Sequence, residues 1–190
     1  MRRRRLLVPL LAALVLAAPA SAGGPSGLRG VIARAEQLRG LRTTHPLAVA
    51  TVGAAGMRRI VDGELAHERE PRSDAAWDDA LHLLGVLARG QSLAQVQRRQ
   101  LTGQVAGVYV PRTGRLYVLG AAGDAPRSVI AHETVHALQD EHFDLEHGAF
   151  APHPRDHDGE LATLALVEGD ASDVQSRYVA SLSPGELVGE

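Results

Sequence analysis

Residues 130–143 have the sequence IAHETVHALQDEHF, and the spacing of their apolar and polar side chains predicts one long helix. The helix is expected to begin near Pro126, with Asp124 as its N-cap, and to end near Phe143. One arc is apolar and is predicted to face the core: Ile130, Ala131, Thr134, Val135, Ala137 and Leu138. The opposite arc is a polar front that carries His132, Glu133, His136 and Asp140.

His132 and His136 are four residues apart, so a helix stacks their side chains about 6 Å apart along its axis. Two imidazoles placed in this way can occupy two tetrahedral positions around one zinc ion. Glu133 then lies beside the metal and can take a proton from a zinc-bound water. The motif predicts a metal centre with Glu133 as the catalytic base. The alternative is a solvated helix face with an incidental pair between Glu133 and His136.

A catalytic zinc also needs a third protein ligand and one open position for water. The last predicted helix, residues 160–181, carries Glu168 on a face with Leu161, Leu164, Ala165 and Ala171. A carboxylate among apolar side chains is costly to bury unless a cation compensates its charge. Glu168 is therefore the predicted third ligand, and Glu160 is its rival. The small Gly169 and Ala171 are expected to let the two helices approach closely.

Three further carboxylates are candidates for the hydrogen bonds that orient the metal ligands. Asp140, one turn beyond His136, is expected to accept the free ring N–H of that histidine. Asp170 and Asp173 are the candidates for His132. An ordinary solvated carboxylate is the alternative for each of them. The sequence does not select an oxyanion donor, for which the options are Tyr178, His142, His147, His153 and His157.

The rest of the sequence predicts an α+β domain over residues 28–190. Further helices are predicted at residues 28–39, 57–69, 73–89 and 92–101, a strand at 46–52, a β-hairpin at 105–119 and a loop at 144–159. Ser73 is the predicted N-cap of its helix, and Gly90 its predicted end. Ser92 and Gln95 are predicted to form a capping box.

Residues 1–22 have the three parts of a secretory signal peptide. Arginines at positions 2–5 precede an apolar run at 6–18, and Ala20-Ser21-Ala22 forms a cleavage site. The apolar run is shorter than the roughly 20 residues that a spanning helix needs. We therefore expect export to a secreted, periplasmic or cell-envelope location, with no stable membrane insertion after cleavage. Residues 23–27 are expected to be a flexible leader, and an uncleaved anchor is the alternative.

The composition excludes several classes of site. The 190 residues include no cysteine, which removes disulfides, thiol nucleophiles and cysteine-ligated metals. A metal must therefore use His, Asp or Glu, and nine histidines are present. A formal net charge of −2 and an aromatic content of 3% argue against nucleic-acid binding, which needs a basic face and stacking side chains.

The string AHETVHALQDEHFDL of residues 131–145, with ALVEGDA at 165–171 and QVAGVY at 104–109, resembles a group of exported bacterial and archaeal proteins. Within the zincin metallopeptidases, HETVH followed by Glu168 is similar to the gluzincin arrangement. The resemblance covers residues 28–180 and is most specific from Gln104 onward. It implies a zincin-like α+β fold, in which a small sheet accompanies an active-site helix and a following ligand-bearing helix.

The same resemblance implies zinc on His132, His136 and Glu168, with Glu133 as general base. Two departures stand out. Better-known gluzincins often have Asp four residues after the ligand Glu, where this chain has Ser172. Proteins of the group also continue further, so the resemblance leaves two alternatives: a domain truncated at its C-terminal end, or a minimal one.

The sequence therefore predicts an exported zinc metalloendopeptidase that acts on polypeptides. The hairpin of residues 105–119 is expected to align the substrate by strand addition. The alternative is a non-catalytic envelope protein with a structural or vestigial zinc site. A metal-carrying binding module is a third class, which the histidines of residues 144–159 favour only weakly. The sequence predicts neither the cleavage preference nor the oligomeric state.

Overall fold

The structure is a computed structural model that describes residues 27–68, 71–120, 125–148, 157–188 and 190. In this part of the chain, seven helices and a three-stranded sheet form an α+β fold. The helices are α1 (Leu28–Arg39), α2 (Ala54–Glu68), α3 (Pro71–Leu83), α4 (Leu93–Gln104), α5 (Arg127–Phe143), α6 (His157–Ala180) and α7 (Pro184–Leu187). The strands are β1 (Ala48–Val52), β2 (Gly107–Val110) and β3 (Arg115–Leu119).

The predicted signal peptide and the leader as far as Ser26 lie outside the described residues. Gly27 of the leader is the N-cap of α1. Among the described helices, none has both the length and the apolar character that crossing a membrane requires.

The sheet has the strand order β1-β3-β2. The predicted hairpin is confirmed, since β2 and β3 pair antiparallel, with Tyr109 opposite Leu116. A 3₁₀ turn, Pro111–Thr113, connects the two strands, and Gly114 closes it with a φ of 59°. Strand β1 lies within the predicted range 46–52 and pairs parallel to β3.

The two faces of the sheet pack against different helices because alternate side chains point in opposite directions. Tyr109, Leu116 and Val118 belong to the larger core, which also contains side chains of α1, α5 and α6. Val108 and Val110 point the other way and pack with Met57 and Val61 of α2. The sheet is therefore the layer between α5 and α2.

Several predicted helix ends were wrong. Helix α3 begins at Pro71, so Ser73 is not its N-cap, and it ends at Leu83 instead of near Arg89. Gly85 follows with a φ of 71°, a left-handed conformation that suits glycine and stops the helix earlier than Gly90. The capping box of α4 is confirmed, since the Gln95 N–H donates to Ser92 Oγ over 3.2 Å and the Ser92 N–H to Gln95 Oε1 over 3.3 Å.

The ends of the two long helices also differ from prediction. The N-cap of α5 is Pro126, and Asp124 lies outside the described residues. Helix α6 begins at His157, three residues before the predicted start at Glu160. Of the predicted loop of residues 144–159, residues 145–147 form a turn and residues 149–156 lie outside the described residues.

Candidate metal centre

Helix α5 is buried on all sides through its middle, over twelve consecutive residues from Ser128 to Gln139. The apolar arc faces the core as predicted, but the polar front is covered as well. The exposed fraction is 2% for His132, 5% for Glu133 and 8% for His136. The polar front is therefore enclosed by protein, and the alternative of a solvated helix face does not hold.

The side chains of His132, His136 and Glu168 converge. The two Nε2 atoms are 3.1 Å apart. Glu168 Oε2 is 3.4 Å from Nε2 of His132, and Glu168 Oε1 is 3.6 Å from Nε2 of His136. One ligand atom from each residue lies within 4.8 Å of the other two, so the three could hold one metal ion.

Helix α6 brings Glu168 to this point from a face that differs from the predicted one. Its buried side chains are Val167, Ala171, Val174 and Tyr178. Leu161 is 63% exposed and Ala165 is exposed, so these two do not face the core. Gly169 is not needed for close approach, because a Cβ there would meet no atom within 4 Å. Tyr178 belongs to the larger core, where burial raises its pKa to about 12.

Opposing effects act on the pKa of His132. Burial lowers it, but the hydrogen bond to Glu168 and the negative charges of Glu133 and Glu168 outweigh that effect and raise it overall. The side chain of Gln175 on α6 also favours the protonated ring of His132. However, it forms no hydrogen bond with Nδ1 of His132, which is buried without a partner. The surroundings of His132 therefore favour a positive charge on its imidazole.

Glu133 is held in place by the backbone of strand β2. The Tyr109 N–H donates to Glu133 Oε2 over 2.7 Å. Burial raises the pKa of Glu133, while the two histidines and this N–H oppose the rise without cancelling it. A carboxyl group with a raised pKa is a better proton acceptor, as a general base requires.

Strand β2 lies close to α5 because Gly107 has no side chain. A Cβ at this position would lie 3.1 Å from Val129 Cγ1 and 3.5 Å from Glu133 Cγ. All four residues of β2 are buried, and the outward N–H of Tyr109 is used by Glu133. The Tyr109 N–H is therefore already used, and strand addition along the rest of the β2 edge stays a prediction.

The predicted orienting carboxylates are placed differently from expectation. Asp140 does not hydrogen-bond to His136: it accepts hydrogen bonds from the Tyr109 hydroxyl at 2.8 Å and the Leu145 N–H at 3.2 Å. Burial raises the pKa of Asp140, and these two donors oppose the rise. Asp173 forms an exposed ion pair with Arg177 at 3.5 Å.

Asp170 does not hydrogen-bond to His132. Its Oδ2 atom accepts from Gln139 Nε2 at 2.8 Å and from Arg39 Nε at 2.7 Å. Gln139 is also the partner of His136, with 2.9 Å between Gln139 Oε1 and Nδ1 of the imidazole. Sequence reasoning missed Gln139, although its spacing of three residues from His136 is one at which helix side chains meet.

Comparison with known proteins gives no match: no family model, curated protein or solved structure is similar to this chain. The resemblance to the gluzincins therefore rests on the motif residues alone.

Proposed function

We propose that this protein is an exported zinc-dependent metallopeptidase. The observation that carries the proposal is the convergence of His132, His136 and Glu168 from two helices, with Glu133 beside them but outside the ligand set. Metal-assisted hydrolysis needs three protein ligands, a fourth position open to water and a separate base, and these residues are suited to be the ligands and the base.

The donor set favours zinc. Two imidazoles and one carboxylate are a common catalytic zinc set, and they leave the fourth tetrahedral position for water. Hard cations such as Mg²⁺ and Ca²⁺ prefer oxygen ligands, and this site offers oxygens from only one side chain of the triad.

The zinc would supply a Lewis acid that polarises a peptide carbonyl and acidifies the attacking water. Glu133 takes a proton from that water as the water oxygen bonds to the carbonyl carbon. It returns the proton to the amine nitrogen as the C–N bond breaks. The Tyr109 N–H holds one carboxylate oxygen, Oε2, so that the other, Oε1, is the one available for the proton.

The substrate is proposed to be a polypeptide that reaches the site from the side of Glu168. The exposed fraction of the side chain is 16% for Glu168, 10% for His136 and 2% for His132. Solvent, and therefore substrate, meets the triad at Glu168 and His136 first.

A second candidate is a non-catalytic envelope protein with a structural zinc. The burial of His132, Glu133 and His136 supports it, because structural zinc sites are closed to solvent. The two candidates differ in the role of Glu133, which a structural site does not need for zinc binding.

Glu133→Gln separates them. Glutamine can still accept the Tyr109 N–H but cannot take a proton, so we expect zinc content to be unchanged. Hydrolysis of an unfolded protein such as casein should fall by about 10²–10⁴-fold, the usual contribution of a general base. Zinc is measured by elemental analysis and hydrolysis by release of soluble peptides, with and without a chelator.

Glu168→Gln and Glu160→Gln form the matched pair for the third ligand. The first should lose zinc and activity together, and the second should keep both. Full hydrolysis by Glu133→Gln, or no chelator-sensitive hydrolysis by the wild-type protein, would refute the peptidase proposal.

A further inference from the structure

A chain of hydrogen bonds leads from His136 away from the metal centre and crosses three helices. It passes from Nδ1 of His136 to Oε1 of Gln139 over 2.9 Å, all within α5. The amide nitrogen of Gln139 then reaches Oδ2 of Asp170 on α6 over 2.8 Å. The same oxygen accepts from Nε of Arg39, at the end of α1, over 2.7 Å.

The surroundings of Gln139 fix which way its amide points. Its nitrogen also lies 2.9 Å from the backbone carbonyl of Val167. Both partners of this nitrogen, the carbonyl and the Asp170 carboxylate, can only accept, so both amide hydrogens are used there. A flipped amide would set its oxygen against two other oxygens. The amide oxygen must therefore face His136.

An amide oxygen can only accept a hydrogen bond, so Nδ1 of His136 must carry a hydrogen. In the neutral ring the lone pair is then on Nε2. This is the atom that faces Nε2 of His132 at 3.1 Å and Glu168 at 3.6 Å. The hydrogen-bond chain thus presents to the candidate metal position the nitrogen that can bind a cation.

We infer that Gln139 is the positioning residue of the metal centre, fixing the tautomer and ring orientation of His136 through a chain that ends on Arg39 of α1. The inference rests on the proposed metal site, but it does not depend on peptide hydrolysis. Gln139 is only 4% exposed, so water does not compete for its amide.

Arg39 and Asp170 have a defined part in this chain. Their side chains are 28% and 26% exposed, and their opposite charges balance. Asp170 binds Gln139 and not His136, so the direct partner of His136 is a neutral amide. Ligating histidines often have a carboxylate in this place. The amide orients the ring without adding negative charge behind the metal.

The tautomer of the His136 ring tests the first part of the inference, that Gln139 fixes which ring nitrogen carries the hydrogen. In metal-free protein, above the pH range in which imidazoles titrate, long-range ¹H–¹⁵N NMR of the His136 ring should show the proton on Nδ1. Gln139→Met removes the amide at similar volume, and the ring should then populate both tautomers. A wild-type proton on Nε2, or an unchanged ring in the variant, would overturn the inference.

Metal affinity tests the second half, with Zn²⁺ dissociation constants measured by competition with a chromophoric chelator. Gln139→Met should bind Zn²⁺ about 10–100-fold more weakly, the usual cost of losing such a partner. Asp170→Asn is the matched control: its amide oxygen can still accept from Gln139 and Arg39, so affinity should stay within about twofold. Asp170→Leu should behave like Gln139→Met.

Val61→Ala controls for general destabilisation. Val61 is fully buried in the other core, against the far face of the sheet, so its truncation should lower stability and leave affinity unchanged. Wild-type affinity in Gln139→Met would overturn the inference. A protein that binds Zn²⁺ as expected but hydrolyses nothing would refute the peptidase proposal and leave this inference intact.

Discussion

Gly107 controls how closely β2 approaches α5, and its replacement by Ala tests the contact that holds Glu133. The new Cβ would lie 3.1 Å from Val129 Cγ1, so β2 or Val129 must move. We expect Gly107→Ala to cost about 1–3 kcal/mol of unfolding free energy, as overpacking usually does. Because the Tyr109 N–H moves with the strand, hydrolysis should fall as well.

Urea unfolding and a peptide-release assay measure the two effects of Gly107→Ala. Gly63→Ala is the matched control, since Gly63 lies in α2 and a Cβ there meets no atom within 4 Å. It should gain up to about 1 kcal/mol from helix propensity, with activity unchanged. Equal stability and activity in both variants would show that β2 does not need glycine at position 107.

At the scale of residues, the sequence predicted which side chains converge better than it predicted their hydrogen-bond partners. His132 and His136 are set by helix periodicity, a local property that spacing alone reveals. Glu168 was predicted from a carboxylate on an apolar helix face, although Leu161 and Ala165 of that face are exposed. The partner of His136 depends on which side chains α6 and α1 present to α5, a tertiary property. Asp140 was therefore chosen, although Gln139 is the residue in contact.

At the scale of elements, the N-terminus of α5 lacks a side-chain cap of its own. Its N-cap is Pro126, which provides no side-chain hydrogen bond to the first turn. Glu190, beyond α7, supplies one instead, since its Oε2 accepts the Ser128 N–H at 2.8 Å. A carboxylate there satisfies a free backbone donor and interacts favourably with the helix dipole.

Glu190→Ala should therefore destabilise the fold by about 0.5–2 kcal/mol, the range for loss of a helix cap. Asp173→Ala is the control, because its ion pair with Arg177 is exposed and should contribute at most about 1 kcal/mol. Urea unfolding followed by circular dichroism measures both. If the two variants share the wild-type midpoint, Glu190 does not act as the cap of α5. Asp173→Ala should also leave Zn²⁺ binding unchanged, since its carboxylate is exposed and pairs with Arg177.

Element types were predictable where a pattern was long or a turn was well marked. The periodicity of α1 and the paired β-prone runs of the hairpin were local signals and were confirmed. Helix ends were less predictable because more than one glycine can end a helix. Gly85 and Gly90 both adopt positive φ, and the earlier of the two ends α3. The buried face of α6 was misjudged because apolar side chains outnumber the positions that face the core.

At the scale of the whole molecule, the candidate metal centre lies on the contact between α5 and α6, but the fold does not depend on that contact alone. The larger core joins these helices to α1 and the sheet through apolar side chains such as Val135, Ala171 and Val174. A small domain folded only by its metal would lack such a core. The metal-free protein should therefore remain folded. Without a cation, the side chains of His132, His136 and Glu168 either repel one another or share protons.

Zinc should accordingly raise stability without being required for folding. At a free concentration of about one hundred times its dissociation constant, it should add about 2.7 kcal/mol. For a chain of 190 residues this corresponds to a rise of roughly 5–10 °C in the midpoint of thermal unfolding. Glu168→Gln should show little of this rise. The same scan in chelator should still give a cooperative transition, because the apolar core persists. Loss of that transition in chelator would show instead that zinc holds α5 and α6 together, as the structural alternative requires. A wild-type midpoint that does not respond to zinc would refute the proposed metal centre.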